Sequence, residues 1–322
     1  MTKKTHNKSD PYQQKDKLTV VPLGGCGIFG ANMTCYGYDG KWIVIDCGIA
    51  FADEKTPGID IMIPDPSFIE ARKKDLLGLI ITHAHEDHIG GVAHLWPSLE
   101  CPVYAGKFTR DVLLRKLQEH GLEKRVKVKT ISEDGEQFQL GPFGLETLNV
   151  AHSIPEAFGL LIKTEIGDVL HTGDWNFDPN PVMTLPTNIS RLKQAGKDGV
   201  IAVLGDSTNA MAHGKTRPEA PLQGAFTDLF AQQKGRVVVT LFASNVARTI
   251  QVARAAQKTG RKVCLLGRSL HNMTEIARNT GKMGDVAKFI SDKEAKSVPP
   301  QNLCIIATGS QGEARAALAR LA

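Results

Sequence analysis

Residues 76–91 read LLGLIITHAHEDHIGG, a short apolar run followed at once by three histidines and two acidic residues. Such a run, bounded by turn signals, is typical of a buried strand. On the extended loop that follows, residues two apart point the same way, so we expect His83 and His85 to hold one metal ion. The chain then turns into a helix, where Asp87 and His88 face a second ion. Imidazole and carboxylate ligands of this kind suit zinc.

Two later strands are followed by residues of the same kind. His152 comes after the run LNVA, and Asp174 comes after VLHTG. Because strand ends at one edge of a sheet converge, we expect these two side chains to complete most of a two-metal site. Asp174 is the natural bridge, since one carboxylate offers an oxygen to each ion. Asp46, which follows the strand WIVI, is better placed to orient a ligand than to bind metal itself.

The secondary-structure pattern divides the chain into parts. Short strands predominate up to about residue 210, whereas strands and helices alternate from Val200 onward, which is typical of a parallel α/β unit. The Lys-rich start has the composition of a disordered arm. We therefore predict a disordered basic tail over residues 1–17, a β-rich domain over 18–210 and an α/β domain over 211–322.

Charge is distributed unevenly over these parts, although the net charge of the 322 residues is only +5. Residues 18–210 hold 17 basic and 25 acidic residues, and residues 211–322 hold 17 basic and 7 acidic residues. An acidic region suits cations and a basic region suits a polyanion, so the split favours metal in the first part and phosphate near the second. Two ordinary solvated surfaces would give the same split.

Other features of the composition exclude several classes of protein. No apolar run approaches the roughly 18 residues that a membrane span needs, so we expect a cytoplasmic protein with no membrane partner. The six cysteines lie far apart without a CxxC pair. That spacing argues against a disulfide scaffold and against a cysteine-zinc site, and it predicts reduced, mostly buried thiols.

The motifs HAHEDH, AHS and TGD, with an early strand ending in Asp, resemble the metallo-β-lactamase superfamily. The segments GIAFADEKTPGIDIMIPD and GDSTNA resemble the ribonuclease J family more closely, over nearly all of residues 18–322. Members of that family insert a β-CASP domain into the hydrolase and cleave RNA. The resemblance implies an α/β protein, a metallo-β-lactamase αββα sandwich followed by a partial β-CASP domain, with two zinc ions per chain.

The resemblance also implies roles for residues of the second half. Asp206 matches an acidic residue of the β-CASP motifs and joins Asp87 and Asp174 as an expected catalytic residue. Arg248, at a helix start, suits a phosphate contact, and a Gly-rich loop before a helix can aim backbone N–H groups at an anion. The residues expected to contact RNA are Ser244, Asn245, Arg248, Gly309, Ser310 and Gln311.

The implied activity is hydrolysis of single-stranded RNA, as a 5′-to-3′ exonuclease, an endonuclease or both, with a pocket for a 5′-monophosphate. Either Asp87 or Asp174 is expected to accept a proton from the attacking water. The resemblance further implies dimers or tetramers. Sequence-tolerant contacts to the RNA backbone are expected, because only 6% of residues are aromatic.

The sequence stops at Ala322, whereas members of the family continue. The remainder would hold a further histidine ligand and another phosphate-contacting segment, so a weakly bound second ion and an exposed apolar sheet edge are expected. Two alternatives stay open. One is a small-molecule thioesterase or lactonase on the same fold, which leaves the basic α/β half unexplained. The other is a truncated RNA-binding protein with weak or no catalysis.

Overall fold

The computed structural model describes Tyr12, residues 15–52, residues 56–312 and residues 316–321. Most of the tail predicted over residues 1–17 therefore lies outside the described residues. The chain forms two compact units, and both are discontinuous in sequence. Unit 1 comprises residues 1–148, 158–173 and 189–206, and unit 2 comprises residues 149–157, 174–188 and 207–322. The single boundary at residue 210 stays a prediction.

Unit 1 contains the strands and helices from β1 to β13. They are β1 (Thr19–Gly24), β2 (Met33–Tyr38), β3 (Lys41–Ile45), β4 (Ala50–Phe51), β5 (Ile61–Met62), α1 (Ser67–Glu70), β6 (Leu76–Ile81), α2 (Glu86–Ile89), α3 (Val92–Leu99), β7 (Val103–Ala105), α4 (Lys107–Glu119), β8 (Val128–Thr130), β9 (Gln137–Leu140), β10 (Phe143–Asn149, whose last residue belongs to unit 2), β11 (Phe158–Thr164), β12 (Gly167–His171), α5 (Ile189–Asp198) and β13 (Val200–Leu204).

Two sheets form the layers of unit 1. The first has the strand order β1-β2-β3-β6-β7-β8, and the second has the order β13-β12-β11-β10-β9. Apolar side chains of both sheets share one buried cluster, which includes Tyr36 and Ile43 of the first sheet and Phe158 and Leu160 of the second. Burial of these faces is the main force that holds the two layers together. The predicted mixed α/β sandwich is confirmed.

The second sheet ends in an apolar edge strand. β13 pairs in parallel with β12 through one side. Ile201 and Val203 of this strand are 57% and 55% exposed. An exposed strand edge that carries large apolar side chains is a site for unwanted pairing with other chains. An exposed apolar edge of this kind was expected from the sequence.

Unit 2 is built around a small parallel sheet. Its elements are α6 (Leu222–Ala231), β14 (Val237–Thr240), α7 (Val246–Lys258), β15 (Lys262–Leu266), α8 (Arg268–Asn279), α9 (Asp292–Ala295) and β16 (Leu303–Ala307). The strand order is β14-β16-β15, and both pairings are parallel. The predicted alternation of strand and helix is confirmed. The helix predicted after the Gly-rich loop, which is residues 309–312, lies partly outside the described residues, because 313–315 are not described; Leu318–Arg320 form a 3-10 turn.

The cysteines agree with the prediction of mostly buried thiols. Five of the six cysteines are buried and Cys26 is exposed, and none forms a disulfide. Burial raises the pKa of Cys101 and of Cys304 to about 12, so these groups remain thiols at neutral pH.

In the described part of the chain, no helix is both long enough and apolar enough to cross a membrane.

Candidate metal centre

The histidine motif lies where the sequence predicts, directly after β6. Thr82, the residue after β6, accepts a hydrogen bond from the N–H of Phe158, the first residue of β11. His85 has extended backbone angles (φ −71°, ψ 150°) and is the residue before α2. Asp87 and His88 lie in α2, a single helical turn. The first pair of candidate ligands, His83 and His85, therefore precedes the helix, and the second pair, Asp87 and His88, lies within it.

The imidazoles of this motif lie close together. His83 Nε2 is 3.0 Å from His85 Nδ1. The ring centroids of His83 and His88 are 4.0 Å apart. Two nitrogens that bind one tetrahedral zinc ion at 2.0–2.1 Å are about 3.3 Å apart, so the spacing of His83 and His85 fits a shared ion. Unit 1 thus contains a His/Asp cluster with the donor chemistry of a metal site.

Asp46 holds His88 in a fixed orientation. Its carboxylate is only 2% exposed and lies 2.7 Å from His88 Nδ1. It also accepts hydrogen bonds from the backbone N–H of Thr82, at 2.8 Å, and from the hydroxyl of Thr82, at 2.9–3.0 Å. An acceptor at Nδ1 favours the tautomer with the proton on that nitrogen, which leaves Nε2 with its lone pair available. This contact is the kind expected of a residue that orients a metal ligand.

Asn32 is a neighbour of the motif that the sequence reasoning missed. Its Nδ2 atom lies 3.1 Å from His88 Nε2 and 3.3 Å from Asp87 Oδ2. The backbone N–H of Asn32 donates to the carbonyl of Asp87. A Cβ at Gly48 would lie 1.6 Å from that carbonyl, so only glycine permits the close approach of this loop to α2. No sequence pattern links Asn32 to a motif 55 residues later.

Unit 2 carries the other two predicted ligands as a pair. His152 Nε2 lies 3.8 Å from Asp174 Oδ2, and both side chains are partly buried. His152 comes three residues after β10, and Asp174 comes three residues after β12. The structure therefore brings together His83, His85, Asp87 and His88 in unit 1, and His152 with Asp174 in unit 2.

Two further polar residues, His171 and Asp206, lie at or just after the ends of β12 and β13 in unit 1. Asp206 follows β13 by two residues, and its backbone N–H donates to the hydroxyl of Thr172 at 2.9 Å. His171 Nδ1 lies 2.9 Å from the hydroxyl of Tyr36. The first contact fixes the main chain at Asp206 and assigns no role to its carboxylate, so its catalytic role stays a prediction.

The predicted RNA contacts of the α7 start have partners within unit 2. The Asn245 side chain caps α7 by accepting from the backbone N–H of Arg248 at 2.9 Å. The Arg248 guanidinium forms two hydrogen bonds with the Glu219 carboxylate, at 2.6 and 3.0 Å. These bonds raise the pKa of Arg248. Its charge is therefore already neutralised, and the contact of Arg248 and Ser244 with RNA stays a prediction.

The glycine-rich loop forms a turn. The N–H of Gly312 donates to the carbonyl of Gly309 at 3.2 Å, and Gly309 has a φ of +116° that favours glycine. Leu318 N–H donates to the carbonyl of Thr308, which closes the segment on itself. The backbone groups of Ser310 and Gln311 lie at the tip of this turn. Their role in binding an anion stays a prediction.

Two protein-family models match the chain. The model described as "Metallo-beta-lactamase superfamily" matches residues 26–267, a range that includes all six candidate ligands. The model described as "Ribonuclease J, beta-CASP domain" matches residues 234–322. The first match covers most of the chain, and the second covers most of the α/β half.

Several curated proteins named Ribonuclease J are similar to this chain. The protein from Sinorhizobium meliloti is 41% identical over 313 residues, which are 96% of this chain and 55% of that protein. The proteins from Helicobacter pylori strain 26695 and from Thermus thermophilus are 38% and 36% identical, again over 96% of this chain and over 45% and 55% of their own lengths. The chain thus spans about half the length of these relatives.

One solved structure supports the fold. The crystal structure of a protein of unknown function from Enterococcus faecalis V583 has a TM-score of 0.63 and 18% sequence identity, and it covers 90% of this chain and 77% of that chain. The similarity to ribonuclease J that the motifs predict is confirmed over 96% of the length. The chain belongs to the metallo-β-lactamase superfamily.

Proposed function

We propose that the chain is the metal-binding part of a ribonuclease that hydrolyses RNA phosphodiester bonds. The observation that carries this proposal is the histidine motif of unit 1, in which a buried carboxylate orients His88 while His83 and His85 turn their nitrogens toward each other. Similarity to proteins named Ribonuclease J supports the choice of RNA over a small ester as substrate.

Six side chains are proposed as metal ligands. His83 and His85, with His152 and Asp174, would hold one zinc ion, and Asp87, His88 and Asp174 would hold the second. The superfamily match spans all of these positions, which supports their use in one centre. The donor chemistry fits zinc, because neutral imidazoles and carboxylates are its usual oxygen and nitrogen ligands. The proposal is two zinc ions per chain.

Zinc ions at such a centre make a water molecule acidic near neutral pH and offset negative charge on the phosphoryl oxygens. The protein contributes proton transfer and orientation. Asp87, which is partly exposed next to His88, or Asp174 accepts the proton of the attacking water. Asp46 keeps the proton of His88 on Nδ1, so that Nε2 stays available as a donor of electrons. Asp206 is proposed as a further catalytic residue.

Unit 2 is proposed to bind the RNA backbone. Residues 211–322 hold 17 basic and 7 acidic residues, and neutralising phosphates with such a surface releases counterions. Ser244, Asn245 and Arg248, with the turn at Gly309–Gln311, are the proposed contacts. A pocket for a 5′-monophosphate, 5′-to-3′ exonuclease or endonuclease action, and assembly into dimers or tetramers are part of the proposal, and the resemblance of the motifs to the ribonuclease J family motivates them. A cytoplasmic location agrees with the buried, unpaired thiols.

Two measurements on the 322-residue chain test the proposal. The purified protein is loaded with zinc and dialysed, its zinc is counted by elemental analysis, and cleavage of a 5′-monophosphorylated RNA is followed on a gel. The expected result is bound zinc and metal-dependent cleavage that a chelator abolishes. RNA binding that is insensitive to the chelator and comes without cleavage would instead identify an RNA-binding protein. Hydrolysis of a thioester or lactone without action on RNA would favour the small-molecule hydrolase.

A further inference from the structure

The two ligand-bearing segments of unit 2 are joined by a third segment. We call residues 185–188 the strap. Asn149 Nδ2 donates to the carbonyls of Leu185 and Pro186, at 2.9 and 2.8 Å, and the N–H of Asn188 donates back to the carbonyl of Asn149. Asn149 is only 2% exposed. These bonds hold the strap against the chain just before His152.

Thr187, in the middle of the strap, completes a hydrogen-bonded ring. The N–H of Asn176 donates to the carbonyl of Ala151 at 3.0 Å, and these residues form an antiparallel bridge. In an antiparallel pair the return bond would run from Ala151 N–H to the carbonyl of Asn176. Here the Thr187 hydroxyl is inserted in that bond: it accepts from Ala151 N–H at 2.8 Å and donates to the carbonyl of Asn176 at 2.5 Å.

The ring connects the neighbours of two candidate ligands. Ala151 precedes His152, and Asn176 lies two residues after Asp174. Thr187 is 5% exposed and Ala151 is 1% exposed, so this bond is shielded from bulk solvent. Two links therefore set the offset between the His152 segment and the Asp174 segment: the direct bond from Asn176 N–H to Ala151, and the Thr187 oxygen, which serves both as acceptor and as donor.

We infer that Thr187 is a positioning residue of the metal centre. Its hydroxyl sets the separation of the His152 and Asp174 main chains, and so presents the two side chains as a ready pair of zinc ligands. The inference rests on the proposed function, because it takes His152 and Asp174 as ligands. Partners of this kind, which contact a ligand-bearing segment and not the metal, typically change metal affinity by about 10- to 100-fold when removed.

The test compares four variants of the 322-residue chain with the parent. Thr187→Val keeps the shape of the side chain and removes the oxygen, whereas Thr187→Ser keeps the oxygen and removes a methyl group. Thr274→Val is the matched control: Thr274 is also 5% exposed in unit 2, and its hydroxyl bonds only to carbonyls within α8. His152→Ala removes the proposed ligand itself. Zinc affinity is measured by competition with a chromophoric chelator, and thermal unfolding is measured without metal.

The expected result is that Thr187→Val weakens zinc binding by about tenfold or more. We expect Thr187→Ser to restore affinity close to that of the parent, and Thr274→Val to leave it unchanged even where it lowers the unfolding temperature. Parental zinc affinity in Thr187→Val, combined with a loss in His152→Ala, would overturn the inference and leave the proposed function intact. Parental affinity in His152→Ala would contradict the ligand assignment of the proposed function instead.

Discussion

The histidine motif of unit 1 and the Asn245–Arg248 segment of unit 2 both place polar side chains at the start of a helix, but their charges are satisfied in different ways. In the motif, the buried carboxylate of Asp46 binds one nitrogen of the His88 imidazole, and the neutral Asn32 amide lies 3.1 Å from the other nitrogen. In the segment, Glu219 accepts two hydrogen bonds from the Arg248 guanidinium. His88 is thus held in a fixed orientation, whereas the charge of Arg248 is compensated by a carboxylate that it must exchange for a phosphate before it binds RNA.

The largest effect is expected from the motif itself. His85→Ala removes one of two imidazole nitrogens that lie 3.0 Å apart, so we expect loss of bound zinc and a fall in RNA cleavage of about a thousandfold or more. Zinc content and single-turnover cleavage measure the two effects. His120→Ala is the control in unit 1, because this exposed ring packs edge-on against His94 and has no place in the motif. Equal losses in both variants would mean that unfolding, and not a lost ligand, explains the result.

Asp46→Asn tests whether zinc affinity depends on the orientation of the His88 ring as well as on the imidazole itself. The amide has the shape of the carboxylate but no charge, and only one of its two end atoms can accept a hydrogen bond, so it cannot serve both Thr82 N–H and His88 Nδ1 as Asp46 does. We expect zinc affinity to fall about 10- to 100-fold, measured by chelator competition. Asp75→Asn, which removes a carboxylate that pairs with Lys41 in unit 1, serves as the control. Unchanged affinity in Asp46→Asn would show that His88 needs no carboxylate to bind metal.

A third variant changes an ion pair of unit 1 that is not part of the histidine motif. Hydrogen bonds from Arg191 lower the pKa of Glu146 to about 2, against an opposing effect of burial and with further help from Lys163. Because the folded-state pKa lies below the ordinary value of 4.5, this contribution to stability is complete above pH 4.5 and is lost as the pH falls toward 2. We expect Glu146→Gln to lower the free energy of unfolding at pH 7 by about 2 kcal/mol.

Acid and urea titrations of the Glu146→Gln variant and the parent provide the measurement. The difference in unfolding free energy should shrink below pH 4.5, and zinc affinity at pH 7 should not change. A constant difference across the titration would show that the carboxylate is not the source of the stability. A loss of zinc would show that the motif and this ion pair are not independent.

The smallest effect is expected at the segment of residues 245–248, which is proposed to bind RNA. Glu219→Gln releases the Arg248 guanidinium, so we expect tighter binding of single-stranded RNA by a few fold, and a salt dependence steeper by about one counterion. Filter binding in EDTA over a range of salt concentrations measures both. Asp228→Asn removes an equal charge from exposed α6 and is the control. An equal gain in both variants would assign the effect to net charge and not to Arg248.

The sequence predicted those parts of the structure that depend on short-range patterns. The strand before the histidine motif, the extended loop and the change to a helix are all encoded within residues 76–91, and the alternation of α7, β15 and α8 follows from local periodicity. The pairing of His83 with His85 could be predicted for the same reason, because both side chains lie on one short segment.

The rest depends on contacts between distant residues, which no local pattern records. Asn32 reaches a motif 55 residues away, Glu219 pairs with Arg248 across 29 residues, and Thr187 bonds to Ala151 across 36. The two units are likewise discontinuous in sequence, which no local pattern of the sequence indicates. Such contacts are set by tertiary packing, which assigns partners to polar groups only after the elements have formed.

Whether the histidine motif holds metal can be measured by elemental analysis. The 322-residue chain and the double variant His83→Ala/His85→Ala are loaded with zinc, dialysed and analysed side by side, with circular dichroism to confirm that both are folded. We expect two zinc ions per chain for the parent, and at least one fewer for the double variant. Equal zinc in the two folded proteins, or none in either, would contradict this expectation.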